Sequence, residues 1–213
     1  TGSCSEGDTG VIFEGEQPFT IETIDIDFDE DLETKIKLNV GFPTKALADS
    51  MLPVDGVGLA RIEFILSAEV GIHPLALLHY EALCQYHDSG VIAPELAQFA
   101  RGLERMDADK WDDLCRAIDL RLGAHSSPRK IFINKLQEGV GLICAAFYPR
   151  PVLVRLSDFK SNEYRELLGG EVFEPVEENP MIAWRGASRY VDPRFSPAFA
   201  MECEALRGGI EEY

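Results

Sequence analysis

The sequence predicts an α/β protein built on a parallel sheet, and three observations carry that prediction. Short apolar strand segments recur along the chain, each followed by a helical pattern, which is the order of βαβ units. Between residues 74 and 146, apolar side chains such as Leu75, Leu78, Leu83, Leu96, Trp111, Leu114 and Ile118 recur at helical spacing. Pro151-Val152-Leu153-Val154-Arg155-Leu156 is apolar enough to predict a strand buried on both faces. About three βα units can be traced, too few to close a barrel of eight.

The elements follow in order. Glu6-Gly7-Asp8-Thr9-Gly10 is turn chemistry and Val11-Ile12-Phe13 a brief strand, so residues 1–18 read as the tail of another domain. Residues 19–34 form an acidic linker with no basic residue among Glu22, Asp25, Asp27, Asp29, Glu30, Asp31 and Glu33. The alternation of Phe19 and Ile21, then Ile24, Ile26 and Phe28, allows part of it to lie extended against a neighbour. Asp25, Asp27 and Asp29 are spaced two apart but lack the glycine turn and bidentate glutamate of a calcium loop, which favours a solvated linker. Residues 35–213 hold the main domain. Its first strand is Lys35–Val40, broken by Gly41-Phe42-Pro43 and followed by a short helix from Thr44 to Met51. Gly56 to Ile65 reads as a second strand with a polar end. The helical stretch 74–146 has interruptions near Ser89-Gly90, Asp107 and Ser126-Ser127-Pro128, where Ser127 before Pro128 is a helix start. Pro151–Leu156 is the third strand, Glu178 to Gly186 follows a loop, and Phe195 to Arg207 is the last helix.

Composition narrows the functions. In 213 residues, 46% hydrophobic and 27% charged, the values are those of a soluble globular protein. The net charge of −17 opposes nucleic acid and anionic membrane surfaces as partners. No run is long and apolar enough to span a bilayer, and the N-terminus has no signal-peptide pattern. Cys4, Cys84, Cys115, Cys144 and Cys203 are widely spaced without a CxxC pair, so zinc is not expected. They read as buried, reduced thiols of a cytoplasmic protein.

Three arginines are the candidate site. Arg61 lies near the C-terminal end of the second strand, Arg155 ends the third, and Arg185 follows an apolar stretch after Asn179-Pro180. Ligands of parallel α/β folds bind at the carboxyl ends of strands. A guanidinium fork fits phosphate or carboxylate bidentately. The competing reading is internal salt bridging, with Glu63 beside Arg61 and Asp158 beside Arg155. Three such arginines in an acidic chain tilt the reading toward an anion site. Lys160, Asn162 and Glu163 follow the third strand, where active-site loops usually lie. Other signals are weaker. Gly56-Val57-Gly58 lacks the third glycine of a dinucleotide loop. His73, His79, His87 and His125 are scattered and read as surface or capping residues.

Several segments resemble a known family. Gly56–Phe64, Ala146–Pro149, Val154–Tyr164 and Glu177–Met181 closely resemble the phosphoenolpyruvate synthase (pyruvate, water dikinase) family of phosphoenolpyruvate-utilising enzymes. Ser3–Gly10 is similar to the end of that family's mobile phosphohistidine domain, and Leu38–Gly41 to the first strand of its phosphoenolpyruvate-binding barrel. Pyruvate, phosphate dikinase and the sugar-phosphotransferase enzyme I share the barrel. The resemblance implies the first part of a (β/α)8 barrel with a helical insertion, preceded by the tail of a swivelling domain. It implies an enzyme that makes phosphoenolpyruvate from pyruvate, ATP and water through a phosphohistidine, with Mg²⁺ assisting. Arg61 and Arg155 match substrate-binding arginines, and Arg185 sits in the motif of a further arginine of the same pocket. The family's phosphohistidine motif, Mg²⁺ ligands and cysteine proton donor have no counterpart here, so an internal fragment, inactive alone, is expected. Pyruvate or phosphoenolpyruvate is the expected partner, with ATP for the full-length enzyme and a homo-oligomer as the assembly. The alternative is a non-catalytic acidic α/β interaction module.

Overall fold

The computed structural model describes residues 14–23, 33–123, 127–177, 182 and 184–212. The chain divides into two units, residues 1–33 and 34–213. In the first, residues 16–23 are exposed and carry no helix or strand. The expected strand Val11–Phe13 and most of the acidic run fall outside the described residues, as does His125.

The second unit holds a parallel three-stranded sheet in the order β1-β2-β3: β1 (Leu38–Val40), β2 (Val57–Arg61) and β3 (Val152–Arg155). A 3₁₀ turn (Pro43–Lys45) and α1 (Ala46–Ser50) join β1 to β2. Gly56 opens β2 at φ 135°, and a Cβ there would stand 2.3 Å from the Pro151 carbonyl oxygen. Only glycine admits that approach, and the same carbonyl accepts the Val57 N–H at 2.9 Å, which starts the β2–β3 pairing.

The described part of the β2–β3 crossover is mainly helical, as the spacing of its apolar residues predicts. It contains α2 (Ile62–Ile65), a π-helical turn (Leu66–Val70), α3 (Pro74–Leu78) and α4 (Tyr80–Ser89). A 3₁₀ segment (Pro94–Phe99), α5 (Ala100–Leu103), α6 (Ala108–Leu122) and α7 (Pro128–Phe147) complete it. The breaks read from the sequence are the observed caps. Gly90 ends α4 in the left-handed conformation, and the Asp107 and Ser127 side chains cap α6 and α7. After β3 come α8 (Ser161–Glu166), α9 (Gly170–Phe173), α10 (Ala187–Tyr190) and α11 (Ser196–Glu212). The core lies around α7, whose Ile131, Phe132, Leu136, Val140, Ile143 and Phe147 are buried and which packs most extensively on α11.

Several expectations are corrected. The second strand stops at Arg61 rather than running to Ile65. Ile62, Ile65 and Leu66 are all buried, a helical i, i+3, i+4 spacing that an apolar run conceals. β1 begins at Leu38, and α11 runs to Glu212 rather than Arg207. β3 is not buried on both faces: Leu153 and Arg155 are exposed while Val152 and Val154 are half-buried, so only one face is covered among the described residues. Cys84, Cys115, Cys144 and Cys203 are free thiols as expected, but the first three are half-buried and Cys203 is exposed rather than buried. No helix among the described residues is long and apolar enough to cross a membrane.

His73 is a capping residue but not a surface one. It is fully buried, and its Nδ1 accepts the Leu75 N–H, so Nε2 carries the hydrogen and donates to Glu174 Oε1 at 3.0 Å. Arg189 donates from Nη1 and Nη2 to both Glu174 oxygens, at 2.5 and 2.7 Å. The rings of Trp184, Tyr164 and Phe195 surround its guanidinium at 4.1, 4.4 and 4.7 Å. Burial pushes the Glu174 carboxyl up, but the hydrogen bonds from Arg189 and His73 outweigh this and hold it below its ordinary value. With its native pKa depressed, this carboxylate's contribution to stability is present above the unfolded value and lost as pH falls. Arg189→Ala leaves a buried carboxylate uncompensated and should lower the unfolding free energy by about 3–5 kcal/mol, measured by urea denaturation. A loss below about 1 kcal/mol would show that the pair contributes no more than a surface one.

Candidate functional site

β2 and β3 run parallel in a register that places Arg61 directly opposite Arg155, each the last residue of its strand. Two guanidiniums at neighbouring strand ends repel, and the structure compensates them unequally. Arg155 Nη2 donates to Glu63 Oε1 at 2.6 Å, and its Nη1 lies 3.9 Å from Asp158. Arg185 donates from Nε and Nη2 to the two Asp158 carboxylate oxygens, at 2.9 and 2.6 Å. Asp158 is tied back through its N–H, which donates to Glu63 Oε1 at 2.9 Å. The Arg185 hydrogen bonds outweigh burial and hold the Asp158 carboxyl below its ordinary value, so it stays ionised well below neutral pH. Arg61 has no carboxylate partner among the described residues; its guanidinium lies 5.9 Å from the Phe64 ring.

These side chains line one open pocket of about 220 Å³ with Phe64, Ser67, Phe159, Lys160 and Glu163. The structure therefore brings Arg61, Arg155 and Arg185 together. It also adds Lys160, whose ammonium likewise has no carboxylate partner among the described residues. Glu163 accepts the Lys160 N–H at 2.6 Å and so caps α8 beneath the pocket. Four cations face three carboxylates here, an excess of positive charge in a chain of net charge −17. Asn162 is not among the lining residues.

The salt-bridge pairing suggested by sequence proximity is corrected in part. Glu63 pairs with Arg155, 92 residues away, and not with Arg61. Because β2 ends at Arg61 and α2 starts at Ile62, residues two apart across that junction do not share a face. Asp158 keeps a long contact to Arg155 but pairs closely with Arg185.

A second layer lies behind the pocket. Glu202, buried on α11, accepts the Ser157 N–H at Oε1 (2.8 Å) and the Ser157 hydroxyl at Oε2 (2.6 Å). Ser157 Oγ accepts the Tyr164 hydroxyl at 2.9 Å, and the Ser157 carbonyl accepts the Tyr190 hydroxyl at 2.6 Å. Burial pushes the Glu202 carboxyl up to about 7, and the nearby Glu63 carboxylate adds to the rise, against the Ser157 hydrogen bonds. A carboxyl raised in the native state contributes stability at low pH that is lost as pH rises from its ordinary 4.5 through about 7. This layer was not legible in the sequence: Glu202 is 45 residues from Ser157 and looks like one acidic residue on a helix. Its only sequence signal is its spacing with Ala198, Met201 and Ala205, the buried stripe of α11.

No three His, Cys, Asp or Glu side chains among the described residues form a metal-binding group. Glu63 and Asp158 are committed to arginines and Glu163 to a backbone N–H, so the pocket's carboxylates do not fit a Mg²⁺ site.

A parallel α/β domain with an arginine-rich pocket at its strand ends is the class that the fold and the site define. The comparisons sharpen this. Residues 18–209 match the PEP-utilising enzyme, PEP-binding domain family, and the chain belongs to it. It is 44% identical over 207 residues to phosphoenolpyruvate synthase of Deinococcus radiodurans, 42% to that of Pseudomonas aeruginosa and 41% to that of Escherichia coli. Each match covers 97% of this chain and 23% of the relative, so the chain spans just under a quarter of their length.

The unequal compensation predicts unequal stability effects. Arg61→Ala removes no internal partner and should leave the unfolding free energy within about 0.5 kcal/mol. Arg155→Ala takes the cationic partner from the buried Glu63 carboxylate, leaving it the Asp158 N–H, and should cost about 1–3 kcal/mol. Denaturant unfolding of both variants checks this; equal losses would mean Arg61 has a structural partner.

Proposed function

We propose that this chain supplies the phosphoenolpyruvate- and pyruvate-binding arginines of a phosphoenolpyruvate synthase. The parent reaction would form phosphoenolpyruvate, AMP and phosphate from pyruvate, ATP and water, in the cytoplasm and in the direction of gluconeogenesis. The observation that carries this reading is Arg61 held opposite Arg155, with no carboxylate paired to Arg61 or Lys160 among the described residues. Phosphoenolpyruvate carries a phosphate and a carboxylate, each a match for a guanidinium fork. A phosphoryl group in transfer spreads charge over its oxygens, which cations held beforehand can stabilise. Glu63 and Asp158 fix Arg155 and Arg185 in place, so that little reorganisation is needed when the anion arrives. ATP binding, Mg²⁺ and the phosphohistidine belong to the whole enzyme in this reading, and this chain's residues do not bind the metal.

The same reading takes β1, β2 and β3 as the first strands of a (β/α)8 barrel. Their parallel order and the exposed Leu153 on the uncovered face support it, since a barrel interior would bury that face. Residues 1–18 are then the end of the swivelling domain, 19–34 a linker, and a homo-oligomer the assembly.

In the full-length enzyme, Arg61→Ala and Arg155→Ala should each lower phosphoenolpyruvate formation by ~10²–10³. Lysine at either position should restore it only in part, because a point charge cannot make the fork. Near wild-type turnover in both alanine variants would reject the assignment.

A further inference from the structure

Glu202 is a charged residue in an apolar stripe, and its surroundings explain why it is kept there. It stands with Ala198, Met201 and Ala205 on the buried face of α11. Both its oxygens go to one residue, Ser157, the second after the end of β3. Tyr190 takes the remaining polar group of Ser157, so this residue is fixed from three helices: α11, α8 through Tyr164 and α10 through Tyr190. The next residue is Asp158, whose N–H goes to Glu63 and whose carboxylate holds Arg185.

We propose that Glu202 is a positioning residue for the anion pocket, holding Ser157 and hence the Asp158–Arg185 and Glu63–Arg155 pairs in binding geometry only while it is ionised. The proposal rests on the anion-binding reading above and deepens it.

Hydrogen counting gives the reason. With Glu202 ionised, the Tyr164 hydroxyl donates to Ser157 Oγ and the Ser157 hydroxyl donates to Glu202 Oε2, so each hydrogen has an acceptor. A proton on Oε2 adds a third O–H to the same two contacts, and one buried donor is left without a partner. Relief requires Ser157 or Tyr164 to move, and Ser157 is joined directly to Asp158. The ionisable groups facing this cluster are Glu63, Tyr164, Tyr190 and, on α11 itself, Cys203, with Glu174 and Arg189 acting on Tyr164, and Asp158 and Arg155 on Tyr190. Burial raises both tyrosines and the thiol away from neutral pH. His73, in edge contact with Tyr164, is pushed down by burial and stays neutral. Glu202 itself is brought to about 7.

Plain electrostatics predicts the opposite sign, which makes the direction decisive. Neutralising a nearby carboxylate should by itself strengthen anion binding; losing the positioning should weaken it. The test is sulfate affinity of the 213-residue chain by calorimetry between pH 5.5 and 8.5, a range in which sulfate keeps a constant charge. Affinity should fall at least about tenfold on acidification, the size of one lost charge-assisted contact. Glu202→Gln should be weak and independent of pH, matching the wild-type chain at low pH. In parallel, the wild-type amide resonances of Ser157 and Asp158 should titrate with the midpoint of the affinity curve, a readout that needs no variant to fold. Pocket affinity that is flat or rises on acidification, a Glu202→Gln chain that binds as well as wild type at pH 8.5, or amides that do not titrate would each overturn the proposal. Absence of sulfate binding at every pH would refute the anion pocket itself, and this proposal with it.

Discussion

The constraint that shapes this domain is the side-by-side placement of Arg61 and Arg155 at the ends of two parallel strands. Like charges so close are unfavourable unless counter-charge is supplied. Here it is supplied to one and withheld from the other. Glu63 reaches Arg155 from the turn where β2 becomes α2, and Asp158 reaches Arg185 from the loop after β3. Among the described residues, Arg61 and Lys160 are left without a carboxylate partner at the pocket. An internal salt-bridge network would have closed this account without remainder. The remainder is what an incoming anion would neutralise.

The arrangement is rigid because its supports are buried. Glu202 and two tyrosine hydroxyls hold Ser157, and the Arg189–Glu174–His73 cluster fixes α9 against α10 and the start of α3. Each support is a polar group removed from water with nearly all its partners in place, the condition under which such groups specify one geometry rather than several. The pocket itself stays open, with Arg155 and Arg185 partly exposed, so a ligand can reach charges already oriented.

Much of this was legible in the sequence, and the failures have physical causes. The three strands, the helical crossover and the caps at Gly90, Asp107 and Ser127 follow from local chemistry, and all were readable. The three arginines were readable as a group because strand ends are where parallel sheets bind ligands. Ile62–Ile65 was misread because four apolar-rich residues after a strand fit either period. The pairing of Glu63 was misjudged because a contact across 92 residues leaves no local trace. Glu202 and Arg189 were missed for the same reason: on one sequence, a charged residue destined for the core looks like any other. Leu153 was taken as buried from its apolar neighbours, while its exposure depends on what covers the sheet.

The most direct measurement of the central claim is chemical-shift mapping of this chain with phosphoenolpyruvate. Saturable shifts should centre on the Arg61, Arg155 and Arg185 side-chain N–H groups and on the backbone of residues 157–163. Shifts confined instead to the larger arginine-lined surface cavity of about 430 Å³ around Arg101, Arg105 and Arg194 would contradict the account. So would an unchanged spectrum at millimolar ligand.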